Sequence, residues 1–153
     1  PWDKAAHSYG GKRNGRCEIQ FKEGGYAYIY LIYGMHSCFN IVTNKAEKPE
    51  SVLIRAAEPV FGLDTMEERR KTTKRKMLLN GPGKLCQALG INRSLYGEDL
   101  CGDLLYLEDD GYSPLPEEIE ESKRINIDYA EDAKDYLWRF TIKDNPYVSV
   151  KTK

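Results

Sequence analysis

The chain has 153 residues and a mass of 17.6 kDa, with 23 Lys and Arg against 24 Asp and Glu, 41% hydrophobic residues and 31% charged. That length excludes a miniprotein dependent on disulfides or metal, because one domain of this size buries a core of its own. The mean hydropathy is −0.63, and no uncharged apolar run approaches the ~18 residues of a membrane span, which excludes a helical membrane protein. The opening, Pro1-Trp2-Asp3-Lys4, carries no basic stretch followed by an apolar one, so no signal peptide is read there. It has no initiator Met, and is expected to be the start of a trimmed chain. Cys17, Cys38, Cys86 and Cys101, taken with His7 and His36, give no paired zinc spacing. Reduced thiols are expected.

The near-zero net charge hides a division. Residues 1–94 carry 16 basic and 9 acidic side chains, whereas residues 95–153 carry 7 and 15. Either one face suits a polyanion while another stays solvated, or the two segments interleave and their charges mix.

In chain order, Cys17–Phe21 reads as a short strand after a Gly- and Arg-rich loop at 10–16. Tyr26–Ile32 is the clearest strand, with Tyr26, Tyr28 and Tyr30 on one face and Ala27, Ile29 and Leu31 on the other. Tyr33-Gly34-Met35-His36 forms a hairpin tip, Cys38–Thr43 returns, 44–50 is a polar loop, and Ser51–Ala57 is a further strand. Asp64 stands three residues before Glu67, the capping-box spacing, and opens a predicted helix through Lys76. Its charge run at 67–71 reads as a solvated face. Asn80-Gly81-Pro82-Gly83 leads into a helix over Lys84–Leu89, stopped by Gly90. Residues 95–110 read as loop and short strand, Pro116–Ser122 as an acidic helix start, and Ile125–Ile127 and Leu137–Lys143 as strands. Hairpins with helices grouped between them predict an α+β fold with a mostly antiparallel sheet.

Asn80-Gly81-Pro82-Gly83-Lys84 is not a Walker A loop: Leu78 stands where its first glycine belongs, and Leu85 where Ser or Thr is needed. It is either a plain helix entry or a start whose free amides and Lys84 hold one phosphate. The tip is more informative, because Tyr33 and Met35 lie where the chain turns and cannot easily bury them. Minor-groove proteins push such side chains between base steps. Arg55, beyond Val52-Leu53-Ile54, and Asn40, between Phe39 and Ile41, must each be hydrogen-bonded or serve a recognition pocket.

Five blocks carry a resemblance: Ala5-Ala6-His7-Ser8; residues 26–35, Tyr-Ala-Tyr-Ile-Tyr-Leu-Ile-Tyr-Gly-Met; residues 52–59, Val-Leu-Ile-Arg-Ala-Ala-Glu-Pro; residues 80–91, Asn-Gly-Pro-Gly-Lys-Leu-Cys-Gln-Ala-Leu-Gly-Ile; and residues 145–149, Asn-Pro-Tyr-Val-Ser. Together and in order, they resemble the alkyladenine (3-methyladenine, or N-methylpurine) DNA glycosylases over nearly the whole chain. The resemblance implies a base-excision-repair enzyme that flips alkylated or deaminated purines (3-methyladenine, 7-methylguanine, hypoxanthine, ethenoadenine) out of duplex DNA and hydrolyses the N-glycosidic bond. It implies a single domain with a curved, open-barrel or roll-like sheet, a protruding hairpin and surrounding helices.

By the same resemblance, Tyr33 intercalates, with Met35 and His36 pressing on the minor groove. His7, Tyr30, Asn40 and Leu53 line the base pocket. Tyr30 stacks on the flipped base with a preference for cationic purines, and Asn40 opposes the 2-amino group of guanine. Arg55 helps position the attacking water. Lys12, Arg16 and Lys84 are expected on phosphates. No metal or organic cofactor is implied. The expected partner is damaged double-stranded DNA, bound by a monomer at the nucleoid in a bacterium or in the nucleus of a eukaryote. The family's general base is a glutamate in a Glu-Ala-Tyr-type segment ahead of the His-bearing loop, which residues 1–153 do not reproduce. The chain is therefore expected to lack an N-terminal segment and to be inactive by itself. The alternative is a non-catalytic DNA-binding module on the same scaffold.

Overall fold

The computed structural model describes residues 1–149. At its centre lies a three-stranded antiparallel sheet in the order β1 (Ala27–Ile32), β2 (His36–Val42), β3 (Ser51–Leu53). The alternation of β1 decides what each face buries. Ala27 and Ile29, with Phe39 of β2, enter the main core against Met66, Leu79, Leu85 and Leu100. Tyr28 points the other way and packs with Cys17, Ile19 and Val42, while Tyr26, Tyr30 and Tyr96 border them. The register sets Tyr28 opposite Asn40, Asn40 opposite Leu53, and Tyr30 opposite Cys38. Pocket candidates from three strands thus share one sheet face.

Two α-helices cover the opposite face. In α2 (Pro82–Leu89), Pro82 occupies the first turn, where its missing N–H costs nothing, and Gly90 closes the end at φ 73°. The amide of Ile91 bonds the Cys86 carbonyl at 2.8 Å while its side chain enters the core, a hydrophobic C-cap. The first helix, α1 (Leu63–Arg70), is shorter than the capping-box reading predicts. Gly62, not Asp64, is its N-cap, and Lys71 turns left-handed at φ 51° to bond the Glu67 and Glu68 carbonyls. Arg69 Nη1 reaches the Ala88 carbonyl at 3.0 Å and ties α1 to α2.

The curved, barrel-like sheet is corrected. Among the described residues, β4 (Ile119–Ser122) and β5 (Arg139–Ile142) pair with each other as a separate two-stranded sheet. Strand β3 ends at Leu53 rather than Ala57; Ile54 N–H still donates to Phe39 O of β2, but Ala57 N–H donates to Leu79 O. The mixed α+β class and the protruding hairpin stand. Glu18–Phe21 is a 3-10 turn rather than a strand, with Gln20 buried beside Ile19 and Phe21 and bonded to Ser51 Oγ. Residues 125–127 form no strand, and Pro116–Glu118 is a single 3-10 turn.

The two charge segments interleave where the early and late parts of the chain meet. Arg124 holds Asp3 through two bonds of 2.6 and 2.8 Å, and Lys4 reaches Glu131 and Asp132. Burial acts to raise the Asp3 carboxyl, but Arg124 and the Ala5 amide outweigh it and hold the pKa below its usual value. Trp2 packs edge-on against Trp138 with ring centres 5.0 Å apart, and Arg124 lies over the Trp138 ring. All four cysteines are free thiols.

Candidate nucleic-acid interface

The tyrosine face of the sheet carries a tight cluster. His7 comes from the turn before the Gly-rich loop, and its Nδ1 is hydrogen-bonded to the Tyr28 hydroxyl. Its ring stands edge-on to Tyr30, with centres 4.7 Å apart at 88°. Tyr28 and Tyr30 are 5.4 Å apart. Burial raises both phenols, Tyr30 to about 12, so both stay protonated. The Tyr30 hydroxyl is hydrogen-bonded to the Cys38 thiol across the strands.

Burial, and then the charge of Arg16, lower the His7 pKa from 6.5 and favour the neutral ring. A depressed histidine stabilises the fold fully above its unfolded value and loses that contribution as pH falls through the folded one. Unfolding free energy is therefore expected to drop as pH falls from 6.5, and less so in His7→Gln, as urea melts across that range would measure.

Asn40 is buried, and its Nδ2 donates to Tyr28 O at 3.1 Å and Cys38 O at 3.3 Å. The amide is pinned in place by backbone. Leu53 is half-buried beside it in register. Arg55 lies two residues further on, so the alternation returns it to the same face. Burial, and then the nearby charge of Arg139, lower its pKa, while Cys38 and Tyr30 act the other way. Arg139 of β5 is the residue that sequence reasoning missed. It is buried and donates to Ser122 Oγ at 3.0 Å. The only signal for it was a charge within the alternating segment at 137–143.

At the end of the hairpin, Tyr33 and Met35 are 80% and 72% exposed. His36 sits at the base of the tip, against the start of α2. A Cβ built on Gly83 would lie 3.3 Å from His36 Cβ. That contact is with the root of the side chain, so His36 would have to give by a few tenths of an ångström. Gly83→Ala gains about 0.5–1 kcal/mol of helix propensity and loses about 1–3 kcal/mol to overpacking. A net loss near 1 kcal/mol in urea unfolding is expected.

The three expected phosphate contacts separate. Lys12 is in the exposed loop, and Lys84 Nζ bonds Asn80 Oδ1 at 2.9 Å. Arg16, although exposed, leans over the tyrosine cluster: its guanidinium carbon stands 5.4 Å from the Tyr30 ring centre, and Nη2 donates to Leu31 O at 3.2 Å.

An aromatic cluster with an amide and arginines on the same sheet face, beside an exposed apolar tip, suits a base-extruding protein. Residues 1–146 match the profile of the Methylpurine-DNA glycosylase family, and the chain belongs to that family of DNA-repair glycosylases. Among similar proteins, one from Desulfitobacterium hafniense is 51% identical over 97% of this chain and 76% of its own length. A second, from Natranaerobius thermophilus, is 50% identical over 98% and 77%, and a third, from Alkaliphilus oremlandii, is 52% identical over 97% and 77%. Each bears the name "Putative 3-methyladenine DNA glycosylase", and all three are bacterial. Among the described residues, no helix is long and apolar enough to cross a membrane.

Proposed function

We propose that the protein recognises alkylated or deaminated purines in duplex DNA, draws the damaged nucleotide onto the tyrosine face, and presents its N-glycosidic bond for hydrolysis. The observation that carries this reading is the convergence of His7, Tyr30, Asn40, Leu53 and Arg55 on one sheet face, below a tip that exposes Tyr33 and Met35. Tyr33 fills the gap in the stack, with Met35 and His36 against the minor groove. Tyr30 and His7 hold the base, and the pinned Asn40 amide stands against a 2-amino group. Arg55 orders the attacking water at the sugar. The leaving purine needs only protonation or an existing positive charge, together with an activated water, so no cofactor enters the scheme. Lys12, in the exposed loop, approaches phosphates, and Lys84 does so by leaving its bond to Asn80, one protein copy acting per lesion. In a bacterial cell the place of action is the nucleoid.

Water activation needs a carboxylate, and those nearest in sequence are committed elsewhere. Asp3 is held by Arg124, and Glu18 by Arg13. A second reading follows, in which these 153 residues bind damaged DNA without cleaving it. Gel-shift and base-release assays on one hypoxanthine duplex separate the two. Lesion-specific binding that weakens with salt, with little free hypoxanthine, is expected of this chain. Efficient release would establish a general base within residues 1–153. Equal binding to intact and damaged duplexes would overturn the whole proposal.

A further inference from the structure

The tyrosine pocket carries its own cation. We propose that Arg16 is a specificity-determining residue, a fixed positive charge on the wall of the base pocket that disfavours cationic purines relative to neutral ones. This rests on the reading of the tyrosine face as a purine site.

Three observations fix the guanidinium there. It lies 5.4 Å from the centre of the Tyr30 ring, within cation–π range. Its Nη2 is anchored on Leu31 O at 3.2 Å, a carbonyl of β1. The loop that delivers it is folded back and held down. The neighbouring Cys17 is fully buried, its amide bonds Asn14 O at 2.9 Å, and its thiol donates weakly to the Lys12 and His7 carbonyls. The Asn14 side chain also accepts the Arg16 amide at 3.0 Å. The charge of Arg16 is felt by each of the three rings of the cluster, His7, Tyr28 and Tyr30.

Two consequences follow for a base arriving on Tyr30. The electron-rich ring already serves one cation, so a purine made cationic by alkylation gains less from it than from an unoccupied ring. It also meets the repulsion of the guanidinium's charge, which solvent moderates because Arg16 is exposed. A neutral purine, such as hypoxanthine or ethenoadenine, pays neither cost. Arg16 therefore narrows the advantage that stacking alone would give to methylated bases.

The test compares wild type, Arg16→Gln and Arg16→Lys on duplexes bearing 7-methylguanine or hypoxanthine. Dissociation constants are measured by fluorescence anisotropy at mildly acidic pH, where the methylated guanine keeps its charge. Arg16→Gln is expected to shift the ratio of the two affinities about two- to fivefold toward 7-methylguanine, the range of one exposed cation–π contact. Arg16→Lys, which keeps the charge, is expected to shift it less. The NMR-detected His7 titration should also move up in Arg16→Gln, which checks the placement of the charge without DNA. Equal weakening of both duplexes with a shallower salt dependence would mean a phosphate contact and overturn the inference. So would an unchanged ratio, or equal tightening of both. No lesion preference in the wild type would instead sink the pocket reading, and the inference with it.

Discussion

Tyr33→Ala is expected to cut affinity for a hypoxanthine-containing duplex by roughly ten- to a hundredfold while leaving the urea midpoint unchanged. The size follows from about 1–3 kcal/mol for stacking an aromatic side chain on a base. The selectivity of the effect follows from the turn. Tyr33 and Gly34 both have positive φ, 52° and 70°, and the Met35 amide closes onto Ile32 O at 3.3 Å, as in the tight turns that suit antiparallel hairpins. A side chain that is 80% exposed contributes little to folding. A non-glycine residue in the left-handed region costs about 1–2 kcal/mol, a cost that alanine shares. Tyr33→Gly should therefore bind as poorly as Tyr33→Ala but melt at higher urea. Strain carried by an exposed aromatic residue is more often found at functional sites than elsewhere. If Tyr33→Ala binds damaged DNA as the wild type does, the tip is not the wedge.

Asn40→Ala is the second large effect, on stability and selectivity together. The buried amide donates to two carbonyls on adjacent strands, Tyr28 O and Cys38 O. Its removal leaves both without that donor, at about 1–3 kcal/mol for a buried polar group losing its partner. The urea midpoint should fall accordingly. Because the amide is held by backbone at two points, it cannot swing aside for a larger base edge. Losing it should relax discrimination against guanine, read as increased binding to a duplex with a mismatched guanine relative to one with hypoxanthine. A destabilised variant with unaltered base preference would make Asn40 a purely structural residue.

The hairpin was legible in the sequence because alternation is a local signal. Tyr26–Ile32 and its return announce their faces residue by residue, and the register between them follows from a short turn. The α2 helix was legible for the same kind of reason, with Pro82 at one end and Gly90 at the other. Residues 17–21 misled because Ile19 and Phe21 alternate like a strand, yet no neighbouring strand lies there to pair with. The intervening Gln20 is buried by a bond to Ser51, thirty-one positions away. The roll-like sheet failed on pairing of another kind. Residues 119–122, read as part of an acidic helix start, are a strand, and only tertiary structure shows that they pair with 139–142. The site divides along the same line. His7, Tyr30, Leu53 and Arg55 sit within the blocks that carry the resemblance, Asn40 lies between two of them, and the resemblance assigned all five. The charge of Arg139 acts on Arg55 from a strand more than eighty residues later, and Arg16 sits in a loop whose sequence says only that it is polar. Alternation marks Arg139 as part of a strand but not which site that strand meets, and the loop of Arg16 has no periodicity at all.

The clasp between Trp2 and Trp138 has a spectroscopic consequence. The chain has two tryptophans, and both lie in that one contact, beside the Asp3–Arg124 pair. The proposed DNA-binding surface, by contrast, is lined by tyrosines. Emission excited selectively at the indoles therefore watches the early and late segments come together. Tyrosine emission is mixed, because Tyr136 belongs to the clasp, so backbone circular dichroism supplies the second gauge in a denaturation series. Divergence between them would show the clasp opening while the sheet that carries the recess remains folded.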